Sequence, residues 1–143
     1  MTRGLRVALA DLTYTNQGFS SVTFPFGASF VASYAKKVFG EEIEVDLFKY
    51  PDDFKKSLEN RLPQIIGFSN YSWTEGISYE FAQAIKEKNP LSVIVFGGPN
   101  FPLENEEQRK FLMERPAIDF YIRGEGEKSF SSMIGVLKDN DFN

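Results

Sequence analysis

Five apolar runs punctuate the chain at regular intervals: "LRVALA" (5–10), "EIEVDLF" (42–48), "QIIGFS" (64–69), "SVIVFG" (92–97) and "IDFYIR" (118–123). Four are near-continuous hydrophobic stretches, the pattern of strands buried on both faces of a parallel sheet. The second alternates instead, with Ile43, Val45 and Leu47 on one face and Glu42, Glu44 and Asp46 on the other, which predicts an edge strand. Between the runs the period changes to that of a helix. Phe30, Val31, Tyr34, Ala35 and Val38 form one stripe, with Pro25 near its first turn and Gly40 as its stop. Ile77, Phe81, Ala82 and Ile85 form another, introduced by Ser72-Trp73-Thr74-Glu75, a capping-box pattern. Weaker helices are expected over about 51–61 and 104–114, and Phe130, Met133, Ile134 and Leu137 set a last one.

Five βα units predict an α/β fold, an open, doubly wound, Rossmann-like and flavodoxin-like parallel sheet of order 2-1-3-4-5 with helices on both faces. The edge reading of the second strand agrees with that order. Ligands of such sheets bind outside the carboxyl ends of the strands, so the loops 11–25, 69–74, 97–103 and 123–127 are where function is expected. No repeat or linker interrupts the chain, and residues 1–143 read as one domain.

Composition narrows the chemistry. A chain of 143 residues should bury roughly 68–70% of its unfolded surface, enough for one good core. Fifteen Phe, six Tyr and one Trp make the chain unusually aromatic, with some rings expected in the core and others available for a planar ligand. Sixteen basic and twenty acidic residues give a net charge of -4 without a basic block, so no nucleic acid partner is expected. No apolar stretch approaches the roughly 18–20 residues that span a bilayer, and the expected location is the cytoplasm. The chain has no Cys and no His, which excludes thiolate nucleophiles, iron–sulfur or thiolate–zinc ligation, and imidazole bases or ligands from its own residues.

Each loop has a functional and a plain reading. The loop 11–27, "DLTYTNQGFSSVTFPFG", is far longer than a βα turn needs and is either a neutral hydrogen-bonding wall for a ligand or a surface lid. In "FSNYSW" (68–73), Tyr71 and Trp73 suit a flat cofactor and Ser69 and Ser72 could donate to it; alternatively Ser72 caps a helix and Trp73 packs under the long loop. "FGGPNF" (96–101) either exposes backbone to a bulky partner at Gly97 and Gly98 or is simply a tight turn.

"RGEGE" (123–127) is half of a dinucleotide fingerprint, but Ser129 stands where the third glycine belongs and the motif follows the last strand, so a nicotinamide site is a poor reading. Glu125 and Glu127 would repel a phosphate, and Glu127 alternatively serves as an acid at a helix N-terminus. A phospho-acceptor receiver is excluded: Asp11 lacks an acidic partner, Ser69-Asn70 replaces the acceptor and Arg123 stands where a Lys is needed. A flavodoxin-like FMN carrier remains an alternative, imitated loosely by Thr13, Thr15, Tyr71 and Trp73.

The segments "VTFPFGASFVASYAKK", "IIGFSNYSW", "VIVFGGPN" and "IDFYIRGEGEKSF", in this order and spacing, resemble the N-terminal cobalamin-binding domain of cobalamin-dependent radical S-adenosylmethionine enzymes over nearly the whole chain. The resemblance implies cobalamin contacts at Thr13, Tyr14 and Thr15, at Ser69, Tyr71 and Trp73, at Gly97, Gly98 and Pro99, and at Gly124, Glu125 and Gly126. It also implies a nucleotide tail entering between the loops. Related cobalamin proteins carry D-x-H-x-x-G after the first strand; here Thr13 stands where that His would be, which implies cobalt without an imidazole lower ligand and a role in methyl transfer.

The same resemblance implies a C-terminal radical S-adenosylmethionine domain as partner, with its 4Fe-4S cluster and S-adenosylmethionine. The chain, lacking Cys, is expected to be a fragment without it. Asn100 stands where relatives often carry His. Besides FMN carriage, the remaining alternative is a degenerate domain that packs against its neighbour and binds nothing.

Overall fold

The structure, a computed structural model, describes residues 4–14 and 25–141. The elements alternate: β1 Leu5–Ala10, α1 Phe26–Phe39, β2 Ile43–Phe48, α2 Pro51–Asn60, β3 Ile65–Ser69, α3 Glu75–Lys88, β4 Val93–Gly97, α4 Asn105–Met113, β5 Phe120–Ile122 and α5 Glu127–Asp139. The strands form one parallel sheet in the order β2-β1-β3-β4-β5, the order the sequence predicts. The register runs Val45–Val7–Ile65–Val93 across the first four strands.

Both faces of the central strands are covered, which is why their sequences do not alternate. Ala8, Ala10, Ile66, Phe68, Ile94 and Phe96 pack towards Phe54 of α2 and Ala82 and Ile85 of α3. Leu5, Val7, Leu9, Ile65 and Val95 pack towards Ala28 and Ala35 of α1 and Phe130 and Ile134 of α5. Phe54, with no exposed surface, centres the first layer; its ring lies 4.9 Å from that of Phe81 and 5.1 Å from that of Phe48. Burying such a side chain contributes about 1.5–3 kcal/mol.

Three local expectations need correction. On α1 the core-facing residues are Ala28, Val31, Ala32, Ala35 and Phe39, while Phe30 and Val38 are 59% and 52% exposed. Val31 and Ala35 of the predicted stripe do face the sheet, the small alanines let α1 lie close to it, and the bulky Phe30 and Val38 are turned away. The capping box does not form. Thr74 occupies the N-cap position of α3 and its Oγ1 accepts a hydrogen bond from Tyr71 N–H at 3.2 Å, while Ser72 is exposed and the Glu75 carboxylate is drawn to Arg115. The two-point pairing with the Arg115 guanidinium takes the carboxylate away from the backbone N–H it would cap. Finally, β5 is only three residues long and is a second edge, with Phe120 46% exposed; its neighbours Ile118 and Asp119 lead into the strand without belonging to it.

Candidate functional site at the carboxyl ends of the strands

A pocket of about 280 Å³ opens at the carboxyl ends of β3 and β4, between the sheet and helices α1 and α5. Its floor is Gly67. A Cβ at that position would stand 2.6 Å from Leu9 Cδ2 and 3.5 Å from Phe130 Cε2, so a side chain there would collide with Leu9, one of the pocket walls. Leu9, Ala28, Val31, Val95, Ile122 and Phe130 make the walls, and Ser69, Tyr71, Glu125 and Glu127 supply polar side chains. A glycine inside an apolar strand marks a place where something approaches the backbone closely, and here it is Leu9 and Phe130, which border the pocket, that approach Gly67.

The turn after β4 is held by Asn70, which has no exposed surface. Its N–H donates to Gly97 O at 2.6 Å and its Nδ2 donates to Asn100 O at 2.8 Å, while Asn100 N–H returns a bond to Asn70 O at 3.3 Å. Tyr121 on β5 completes the clamp by donating its hydroxyl to Gly98 O at 2.9 Å. Burial pushes the Tyr121 hydroxyl pKa above its ordinary value, the hydrogen bond from Asn70 opposing and Glu75 reinforcing the shift. The hydroxyl thus remains a donor throughout the physiological range.

A second layer fixes the same turn from outside. The Asn100 amide donates to Glu75 Oε2 at 2.6 Å, and Glu75 Oε1 accepts from Arg115 Nε at 2.7 Å and pairs with its Nη2 at 2.6 Å. Phe101 stacks on Tyr121 with ring centres 3.8 Å apart, and Phe111 meets both rings edge-on. Asn100 therefore ties the loop to α3, a role to which its amide is suited.

Of the residues singled out in the sequence, Ser69, Tyr71, Gly97, Gly98, Gly124, Glu125 and Gly126 line one pocket. Thr13, Tyr14, Trp73 and Pro99 do not. Thr13 N–H donates to Lys49 O at 3.0 Å, the Tyr14 hydroxyl sits against Gly76 at the start of α3, and Pro99 is exposed on the turn. Trp73 is 67% exposed and stacks on Tyr71, with ring centres 4.9 Å apart and planes within 10°. Its alternative reading, packing under the long loop, falls on residues 15–24, which lie outside the described residues. Thr15 lies outside the described residues. Two of the glycines also have structural reasons: Gly124 has φ +69°, and a Cβ on Gly126 would come within 3.4 Å of Val31 Cγ2, where α5 begins beside α1.

Sequence reasoning missed Leu9, Ala28, Val31, Gly67 and Phe130, all hidden among core positions, and Asn70, which read as an ordinary loop residue. Electrostatically the rim is acidic. Glu125 and Glu127 stand on it, and Asp11 at the end of β1 lies near enough to Tyr71 to raise its hydroxyl pKa, after burial as the larger cause. Burial also raises the pKa of Asp11 itself, with Lys49 partly opposing.

The fold and the pocket together define a doubly wound α/β domain with a ligand slot at the carboxyl ends of its strands. Residues 17–134 match the model of the B12 binding domain, and the chain belongs to that family. Membership selects the cobalamin reading of the sequence over the flavodoxin-like one. Curated relatives include a 2-(S-pantetheinyl)-carbapenam-3-carboxylate methyltransferase of Streptantibioticus cattleyicolor, 29% identical over 50% of this chain and 10% of its own length. A cobalamin-dependent radical SAM methyltransferase of Streptomyces tokunonensis is 29% identical over 52% of this chain and 10% of its own. An anaerobic magnesium-protoporphyrin IX monomethyl ester cyclase of Synechocystis is 34% identical over 55% and 15%. The chain thus matches only a small part of the length of these relatives. Its fold is similar to that of a cobalamin-binding protein from Desulfitobacterium hafniense, with a TM-score of 0.63 at 13% identity, covering 99% of this chain and 60% of the other.

The residues present fit cobalamin in a divided way. The slot over Gly67 is too narrow for a tetrapyrrole macrocycle but open to a bicyclic base on a sugar, and its apolar walls suit such a base. The macrocycle itself would lie outside the slot, where the exposed Trp73 and its partner Tyr71 stand. No imidazole or thiolate of this chain is available to cobalt, since the sequence contains neither His nor Cys. Among the described residues, no helix is long and apolar enough to cross a membrane.

Proposed function

We propose that this domain binds cobalamin across the carboxyl ends of its strands, with the nucleotide tail in the slot over Gly67, as a module of a larger radical S-adenosylmethionine methyltransferase. The observation that carries the reading is the pocket itself: an apolar, helix-walled space over the buried strand glycine Gly67, at the end of the sheet where such folds take ligands. Gly97, Gly98 and Pro99 border the entry from one side and Gly124, Glu125 and Gly126 from the other. Ser69 and Tyr71 donate at the mouth, Trp73 offers a face to the corrin, and Thr13, Tyr14 and Thr15 contribute from the loop after β1. Glu125 accepts from the corrin's amide side chains.

Cobalamin, when bound, supplies a cobalt centre able to accept and pass on a methyl group. This chain contributes no His lower ligand to it. The 4Fe-4S cluster, S-adenosylmethionine and the radical chemistry belong to a C-terminal partner domain, a reading supported by relatives several times longer than this chain. Three cysteines in a C-x-x-x-C-x-x-C spacing downstream in the parent gene are the expected finding.

Titrating the chain with hydroxocobalamin and following the visible corrin bands tests the reading. Saturable spectral shifts, with no quenching of FMN fluorescence on mixing, are expected; FMN quenching without corrinoid shifts would restore the flavin carrier, and silence with both would leave a domain that binds neither.

A further inference from the structure

We infer that the slot over Gly67 selects among corrinoids by the chemistry of the lower base, favouring a methylated benzimidazole over a purine such as adenine; this rests on the cobalamin reading above. Corrinoids share their macrocycle and differ in the base that ends the nucleotide tail, so the tail slot is where a protein distinguishes them.

The slot offers that base almost no hydrogen bonding. Leu9, Val95 and Phe130, at 5%, 3% and 2% exposed, wall it with Val31 and Ile122. The floor is equally unhelpful, because Gly67 is the middle of a three-strand register, Leu9–Gly67–Val95, in which backbone N–H and C=O groups are committed to the ladder. Polar side chains stand with the loops and strand ends: Ser69 at the end of β3 and Tyr71 after it, Glu125 and Glu127 around the start of α5.

A dimethylbenzimidazole has two methyl groups to place against Leu9, Val31 and Phe130 and few polar atoms to satisfy. Adenine brings an exocyclic amine and additional ring nitrogens, which exchange water for hydrocarbon on entering. A polar group buried without a partner weakens binding by at least about tenfold. Shape does not discriminate, since both bases are flat bicycles of similar size; the unmet hydrogen bonds do.

The test compares three probes on the unaltered chain by equilibrium dialysis: hydroxocobalamin, its counterpart carrying adenine as lower base, and cobinamide, which lacks the nucleotide tail. The expected order is hydroxocobalamin tightest, with the adenine form weaker by at least about tenfold and close to cobinamide. Equal affinity for the two complete corrinoids overturns the inference while leaving the cobalamin reading standing. Failure of all three to bind overturns both. Val95→Thr, a substitution of similar shape that adds a hydroxyl to the wall, should narrow the preference for hydroxocobalamin over the adenine form; an unchanged ratio in a folded variant counts against the slot as the selector.

Discussion

Gly98 lies against the backbone of Asn70 so closely that a Cβ on Gly98 would stand 2.7 Å from Asn70 O and 3.1 Å from Asn70 N. Its φ of +125° is equally closed to other residues. The "GGP" turn is therefore written first for packing between the ends of β3 and β4, and its place at the pocket follows from that packing. Gly98→Ala should cost about 1–3 kcal/mol from backbone strain alone, with the collision added. Gly124→Ala, at φ +69° with open space around it, should cost only about 1–2 kcal/mol. Urea denaturation of the two variants gives the comparison, and the order Gly98 above Gly124 is the expected outcome.

Tyr121→Phe isolates the outer half of the same clamp. It removes the hydroxyl that donates to Gly98 O while keeping the ring stacked on Phe101. A loss of about 0.5–1.5 kcal/mol is expected, read as a shift in urea midpoint at unchanged slope. Asn70→Ala deletes the bonds of a wholly buried amide and should cost more, about 1–3 kcal/mol.

Asp11 gives the domain a pH dependence of definite sign. Its carboxyl pKa is raised above 3.8 by burial, so the folded chain holds this proton to higher pH than the unfolded chain does. The group is neutral and without adverse effect below the unfolded value. As pH rises from there through the folded value, stability falls, and the loss persists at neutral pH. Asp11→Asn should therefore stabilise the domain at neutral pH and change little at about pH 3. Thermal unfolding of both proteins at the two pH values is the measurement.

Trp73 separates binding from stability. Two-thirds of its surface is exposed and its ring stacks on Tyr71, so Trp73→Ala should lower stability by no more than about 0.5–1.5 kcal/mol. Far-ultraviolet circular dichroism should be unchanged while hydroxocobalamin affinity drops. Unchanged affinity would remove Trp73 from the binding surface.

Periodicity made the strands, their order and most helix positions legible, because each central strand is buried on both faces and each helix on one. The same rule placed Val31 and Ala35 of α1 correctly but widened the face to the exposed Phe30 and Val38, where alanines meet the sheet instead. The turns at 97–99 and 124–126 were visible through their glycines. Gly67 was not, since a glycine within an apolar run reads as part of the strand, and only the approach of Leu9 and Phe130 in space shows why no side chain fits there. Asn70 stayed hidden for a similar reason: its partners Gly97, Asn100 and Tyr121 are distant in sequence and meet only through the parallel register.

The position of the nucleotide tail tests the central claim most directly. A crystal structure of the domain grown with hydroxocobalamin, with cobalt located by its anomalous scattering, should show the lower base in the apolar pocket lined by Leu9, Val31 and Phe130 and the corrin beside Tyr71 and Trp73. A tail left in solvent with the slot unfilled, or a cobalt site away from these strand ends, would contradict it.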